Sequence, residues 1–355
     1  MPTSYTGVAS NVSSGAKSVV SMPADGDVNN GATFQGPLQS LADYGEFLVE
    51  QQAVSAALSM QAHVQGTTLG TTLAACETGF PLAFGRIRLV LGGGTGGAIY
   101  TNALGGGGWV AQTGVGTEAL QALCSNGSLI VAVGNISATF PVIATSPDGV
   151  TWTRRSNTYP FILGSVCWFA SAGLFAASTA GAASSLITSP DGITWTTRTV
   201  GATVTYVTAG NGVLVAWGGP TYYTSTDGIN FTARTSVISG AGNNRMKFLG
   251  GTVNKFFTTD VSNNLWNSSD GINWTNVAAN VTDAATIDQN GRICLCVCST
   301  RVMTSLDGTT WRTRQLATPS AATMGLQVLA AANGQFFNLG TSSVNGMVSQ
   351  PLITP

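Results

Sequence analysis

Apolar residues in most of this chain come in short bursts separated by glycine, asparagine and serine. Between residues 204 and 234 the bursts read "VTYVTAGNG", "VLVAWGG", "TYYTS" and "NFTAR". Each has the length of a short strand, is rich in β-branched and aromatic residues, and stops at turn-forming residues, which predicts four β-strands. Asp227-Gly228 joins the last two, and Asp-Gly between β-rich runs signals a hairpin. The same rhythm recurs around Asp148 as "LIVAVG", "VIATS" and "TWTRR".

The last hairpin of the unit is written almost identically five times. The copies are "TSPDGVTW" from Thr145, "TSPDGITW" from Thr188, "TSTDGINF" from Thr224, "NSSDGINW" from Asn267 and "TSLDGTTW" from Thr304. Their aspartates, Asp148, Asp191, Asp227, Asp270 and Asp307, are 43, 36, 43 and 37 residues apart. A weaker sixth copy, "YTNALGGGGWV", sets Trp109 43 residues before Trp152 and lacks the aspartate. A fixed period of about forty residues marks a repeat architecture. Four short strands per unit, repeated radially, is the plan of a β-propeller.

Units close at Trp109, Trp152, Trp195, Phe231, Trp274 and Trp311, and three further strand-like runs follow: "GLQVLAAANG", "QFFNLG" and "NGMVSQPLI". The expected fold is all-β: a seven-bladed propeller over residues 85–355, its last blade incomplete or closed by a strand from residues near 76–88. Six blades is the alternative.

Every position of the octapeptide has a mechanical use. A carboxylate at the start of a tight turn accepts hydrogen bonds from the N–H groups of that turn. The glycine tolerates positive φ. The serine hydroxyl bonds locally. The closing tryptophan begins the last strand and has a large ring to bury beside the next blade. These residues resemble the Asp-box, or BNR repeat, Ser-x-Asp-x-Gly-x-x-Trp, here with one residue fewer between Asp and Gly. Asp-boxes occur in sialidases and in many propellers without enzymatic activity, on the outer hairpin of a blade and away from the central ligand face. The resemblance therefore implies a structural role for Asp148, Asp191, Asp227, Asp270 and Asp307, with Trp152, Trp195, Phe231, Trp274 and Trp311.

The same resemblance raises sialidase-like glycan cleavage as the alternative function. That chemistry needs an arginine cluster around a carboxylate, a Tyr–Glu nucleophile pair and an aspartic acid. The last glutamate is Glu118, and beyond it the acids outside the boxes are only Asp260, Asp283 and Asp288. Arg154, Arg155, Arg198, Arg234, Arg312 and Arg314 follow the box aromatic onto the outer strand and read as solvated strand ends. The single histidine, His63, lies upstream, so no Ser–His–Asp triad forms in the propeller. "LGGGTGG" (91–97) lacks the Gly-Lys-Ser/Thr ending of a phosphate loop and reads as a hairpin connection. No catalytic residue is expected.

Asp260 with Asn263 and Asn264 makes at best a weak calcium site through one carboxylate. Cys294, Cys296 and Cys298 alternate along one strand, do not match zinc-knuckle spacing, and read as small buried hydrophobes. Cys76, Cys124 and Cys167 read as free thiols. No metal and no cofactor are expected.

Composition narrows the partners. Charged residues are 8% of the chain and the net charge is −1, against about 25% charged in an average domain. That leaves no electrostatic case for nucleic acid, and no apolar run is long enough for membrane insertion. A polar, uncharged surface suits an extracellular or virion structural protein packed against copies of itself. The opening "MPTSYTGVAS" has no secretory pattern, so synthesis in a host cytoplasm is expected.

Residues 1–36 carry no repeat and read as an extended attachment segment. From Pro37 the pattern becomes helical to residue 66, with Leu38, Leu41 and Leu48 on a narrow stripe that suits an oligomerising helix. "QGTTLGTTL" then begins a linker over 67–84. "ADGD" followed by "FQGPLQSLADY" resembles the N-terminal part of tailed-phage virion proteins. The resemblance implies an anchor to other virion proteins through residues 1–60, with a variable module behind it and a trimer as the first guess for a fibre.

The resulting expectation is a non-enzymatic bacteriophage virion protein of fibre, tail or decoration type, its propeller displayed for host-surface recognition. Tyr159, Phe161, Trp168, Trp217, Tyr222 and Tyr223 are the candidate aromatics for a host glycan or protein. Tyr159, Trp168, Trp217 and Tyr222 lead that set.

Overall fold

A computed structural model describes residues 73–348, apart from 83–85, 94–98, 104–109, 114–118, 138–139, 156–158, 180–184, 220, 239–245, 280, 282–285, 290–293, 298–300, 316–325, 333–334 and 341–346. The chain divides into two units, Met1–Ala53 and Val54–Pro355, and every described residue belongs to the second. The attachment segment 1–36, the helix 37–66 with Leu38, Leu41 and Leu48, and Trp109 lie outside the described residues.

The described residues form seven antiparallel sheets, six of four strands and one of three, each with its strands in sequence order. The sheets run over 73–112, 119–155, 166–199, 206–235, 247–278, 286–315 and 326–348. In the fourth sheet the strands are Tyr206–Gly210, Val213–Trp217, Thr221–Ser225 and Thr232–Thr235. These are the four bursts read from the sequence. The first strand of each sheet neighbours the first strand of the next, and the first strand of sheet one neighbours that of sheet seven. All-β sheets of this kind in a closed circuit have the form of a propeller.

The first strand, Leu73–Leu82, pairs with Arg86–Gly93. It therefore occupies much of the 67–84 stretch expected to be a linker. It is the first strand of sheet one, not a fourth strand added to sheet seven. "TGFP" inside it breaks the strand-like pattern, and a register shift between Glu77 and Phe80 accommodates the break. The first three residues of "LGGGTGG" end the second strand of sheet one, Arg86–Gly93, which pairs antiparallel with the third, Ile99–Ala103; the other four lie outside the described residues.

The core is divided among the seams between sheets. In the strand Ile130–Ser137, Ile130 and Ala132 join a buried cluster with Ile99 of sheet one. Val131 and Val133 join a different cluster with Phe175 and Ile187 of sheet three. Side chains alternate across a strand, so a strand buried on both faces must be apolar at every position, and "IVAV" is. Equivalent clusters fill the seams between sheets three and four, four and five, and five and six. The fourth strands differ. Thr153–Arg155, Thr196–Thr199 and Thr232–Thr235 are mostly exposed, and their threonines and arginines are the residues of an outer edge.

Candidate functional site

Each octapeptide occupies the hairpin between the third and fourth strands of its sheet. In all five, Oδ1 of the aspartate accepts the N–H groups two and three residues on, at 2.7–2.8 Å. The serine hydroxyl donates to the same oxygen at 2.9–3.1 Å. That serine oxygen in turn accepts the glycine N–H at 2.8–2.9 Å. The second carboxylate oxygen takes a side-chain donor from the hairpin: the Asn230 and Asn273 amides at 2.7 Å, or the Thr151 hydroxyl at 3.2 Å. Three donors on one oxygen leave it no lone pair suited to base, nucleophile or metal-ligand work.

The electrostatics agree. Burial pushes the Asp270 carboxyl up, but the N–H groups of Asn273 and Ile272, the Asn273 amide and the Ser268 hydroxyl outweigh it and hold its pKa at about 2. Burial also opposes ionisation of Asp148, Asp191 and Asp307, and the hydrogen bonds of their own hairpins again prevail, so all three lie below the ordinary carboxylate range. The N–H groups of Asn230 and Ile229 hold Asp227 well below it. A carboxylate stabilised as the anion is the reverse of a catalytic acid poised near neutrality.

The hairpin is also a seat for the sheet before it. Gly192 has φ +69°, and a Cβ placed there would stand 2.8 Å from Val131 Cγ2 of sheet two. Gly271 and Gly308 meet Val215 of sheet four and Phe257 of sheet five in the same way, at 2.7 and 2.6 Å. The closing aromatics follow suit. Trp152, Trp195, Phe231, Trp274 and Trp311 pack into the clusters shared with the preceding sheet, not the next one as the sequence suggested. Direction is invisible in a repeat read one unit at a time, because both neighbours present equivalent apolar strands.

Trp152, Trp195 and Trp311 donate Nε1–H to the carbonyl of their own turn glycine at 2.9–3.3 Å. Other bonds cross the seam. Asn267 donates from Nδ2 to the Gly308 carbonyl at 2.6 Å, and Asn211 from Nδ2 to the Ser269 carbonyl at 2.8 Å.

One partnership went unnoticed in the sequence. Arg155, Arg198 and Arg234 donate Nε–H to the hydroxyls of Thr145, Thr188 and Thr224, the first residues of their octapeptides, at 2.8, 2.9 and 3.0 Å. The threonine and arginine are ten residues apart each time. The signal was available: where Asn267 replaces the threonine, Val277 stands at the tenth position in place of arginine. These arginines are half-buried, so they are anchored side chains and not wholly solvated strand ends.

The candidate ligand-face aromatics scatter. Trp217 and Tyr222 are 4% and 1% exposed, stacked at 4.4 Å in the seam between sheets four and five. The Tyr222 hydroxyl donates to the Ile272 carbonyl at 3.0 Å and accepts Trp274 Nε1–H at 3.3 Å. Both are core residues, because a large ring at a seam strand is worth more buried than displayed; neither offers a ligand surface. Tyr223 is also buried. Trp168 is half-buried against Phe175. Tyr159 stacks on Phe161 at 5.3 Å and donates its hydroxyl to the Trp195 carbonyl at 2.7 Å. The structure does not bring the four together into one platform.

Asp260 is buried and accepts from Ser262 N–H, Asn264 N–H, the Asn264 amide and Trp266 Nε1–H at 2.8–3.0 Å. Four donors organise a turn and leave no cradle for calcium. Lys247 and buried Asp288, on the first strands of sheets five and six, pair at 2.8 Å.

No protein-family model matches the chain, and no curated protein matches it. Solved structures do. YCF48 bound to D1 peptide aligns over 80% of this chain and 93% of its own length, with 15% identity and a TM-score of 0.57. YCF48 from Cyanidioschyzon merolae aligns over 77% and 94%, with 16% identity and a TM-score of 0.54. A catalytically inactive virginiamycin B lyase from Staphylococcus aureus with quinupristin aligns over 81% and 98%, with 8% identity and a TM-score of 0.64. At such identities the likeness is one of fold: a β-propeller-like arrangement of antiparallel sheets.

Proposed function

We propose that this chain is a non-catalytic, seven-bladed Asp-box propeller that binds a partner molecule and is carried on a phage particle by its N-terminal segment. The observation that carries the non-catalytic part is that Oδ1 of every octapeptide aspartate is taken up by three donors of its own hairpin, which hold the carboxylate as the anion of a turn. The circuit of seven first strands supports seven blades over six. Partner binding has support in a neighbour of the same form, YCF48, which has a D1 peptide bound. The virion part rests on "ADGD" and "FQGPLQSLADY" in residues 24–44, and with it go attachment through residues 1–60 and a trimeric fibre or decoration protein displayed towards a host surface.

The test has two arms. Full-length protein should adhere to host cells or assemble with virion proteins, and should release no sugar from glycan arrays. Removal of residues 1–60 should leave a folded propeller that no longer joins the particle. Release of sialic acid by the full-length protein would return the function to glycan cleavage, and incorporation of the truncated form would end the anchor reading.

A further inference from the structure

We infer that the outer strands form an arginine-studded rim that binds an acidic polysaccharide. This names a ligand class for the binding role proposed above and rests on it. The fourth strands are Val110–Gln112, Thr153–Arg155, Thr196–Thr199, Thr232–Thr235, Thr275–Ala278 and Arg312–Gln315. They hold Arg154, Arg155, Arg198, Arg234, Arg312 and Arg314, six of the chain's 14 basic residues, and no Asp or Glu. Six of the 14 cations of a chain of net charge −1 thus share one position of the repeat.

Three of the guanidiniums are oriented. Bonding of Nε–H to Thr145, Thr188 or Thr224 fixes the plane of the fork, and a guanidinium has five N–H donors in all. Among the described residues no carboxylate pairs with Arg155, Arg198 or Arg234. A planar fork held in place suits a carboxylate or sulfate that arrives from solvent.

The surroundings select the polymer. Exposed Thr153, Thr196, Thr199, Thr232 and Thr235 flank the arginines and offer hydroxyls to a sugar chain. The six fourth strands contain no aromatic residue, so nucleic-acid bases have no stacking platform there. The same lack deprives a peptide of an apolar anchor. Cations on the fourth strands of sheets two, three, four and six, with hydroxyls beside them, suit a chain of sugars that bears repeated acids.

The experiment passes full-length protein over immobilised polygalacturonate and neutral dextran. Binding is expected on polygalacturonate alone, weakening by about tenfold or more between about 50 and 500 mM NaCl. The triple variant Arg155→Gln, Arg198→Gln, Arg234→Gln should lose about tenfold in affinity, and the corresponding Lys variant should retain more of it. Melting curves accompany each protein. Equal binding to dextran, no binding to polygalacturonate, or a folded Gln variant that binds like the parent would overturn the rim. The dextran and salt comparisons decide the matter even where the Gln variant unfolds. Adhesion to host cells without polygalacturonate binding would sink the rim alone and leave the binding role standing, whereas loss of both would sink both.

Discussion

Replacing Gly192 by alanine tests whether the repeated turn is a seat between sheets as well as a local turn. The backbone there has φ +69°, and an L side chain in that region costs about 1–2 kcal/mol. The added Cβ also falls 2.8 Å from Val131 Cγ2 and 3.1 Å from Leu129 Cδ2. Val131 is fully buried and β-branched, so its side chain has little freedom to withdraw. Overpacking of this kind costs about 1–3 kcal/mol. The two effects together give a loss of roughly 2–5 kcal/mol.

Gly127 supplies the control. It has φ +89°, and a Cβ there meets nothing within 4 Å. Gly127→Ala should therefore cost only the conformational part, about 1–2 kcal/mol. Denaturant unfolding of both variants, followed by tryptophan fluorescence, isolates the seam contribution as the difference. Equal losses at the two positions would refute the idea that the hairpin is wedged against the preceding sheet.

Tyr222→Phe leaves the buried Trp274 Nε1–H without its acceptor, removes a part-buried bond to the Ile272 carbonyl, and should destabilise by about 1–3 kcal/mol. Host-cell binding measured below the melt should be unchanged, since the ring is core. Thr188→Val removes the anchor of Arg198 and should cost about 0.5–1.5 kcal/mol in denaturant titration. The Asp270 carboxyl is held at about 2 in the fold against an ordinary 3.8, so its contribution is complete above the ordinary value and is lost as pH falls through the folded one. Thermal melts of Asp270→Asn should therefore show a shallower loss of stability between pH 4 and pH 2 than the parent protein shows.

Much of this architecture was legible in the chain because it is repetitive. A single "TSPDGITW" says only that a tight turn is present. Five copies at blade spacing locate third and fourth strands in five sheets, and the runs between them supply the first and second. The strand Leu73–Leu82 was hidden because "TGFP" interrupts its pattern and no octapeptide closes its sheet with an aspartate. Arg155, Arg198 and Arg234 were misjudged because ten residues is no helical or strand period. The threonine and arginine meet only across a hairpin, diagonally between neighbouring strands. The aromatic candidates failed for a different reason: aromatic runs such as "TYYTS" report β-structure whether the ring points into a seam or out of it. Trp217 and Tyr222 point inwards.

Asp191→Ala puts the mechanical role of the repeated carboxylates to the most direct trial, with melting, host-cell adhesion and glycan release measured on the same preparations. The N–H groups of Ile193 and Thr194 lose their acceptor, and because both are exposed to water the loss should be modest, about 1–2 kcal/mol. The expected result is a lower melting temperature with adhesion unaltered below the melt and no sugar released by either protein. An unaltered melting temperature with adhesion lost, or glycan release that disappears with the carboxylate, would contradict it.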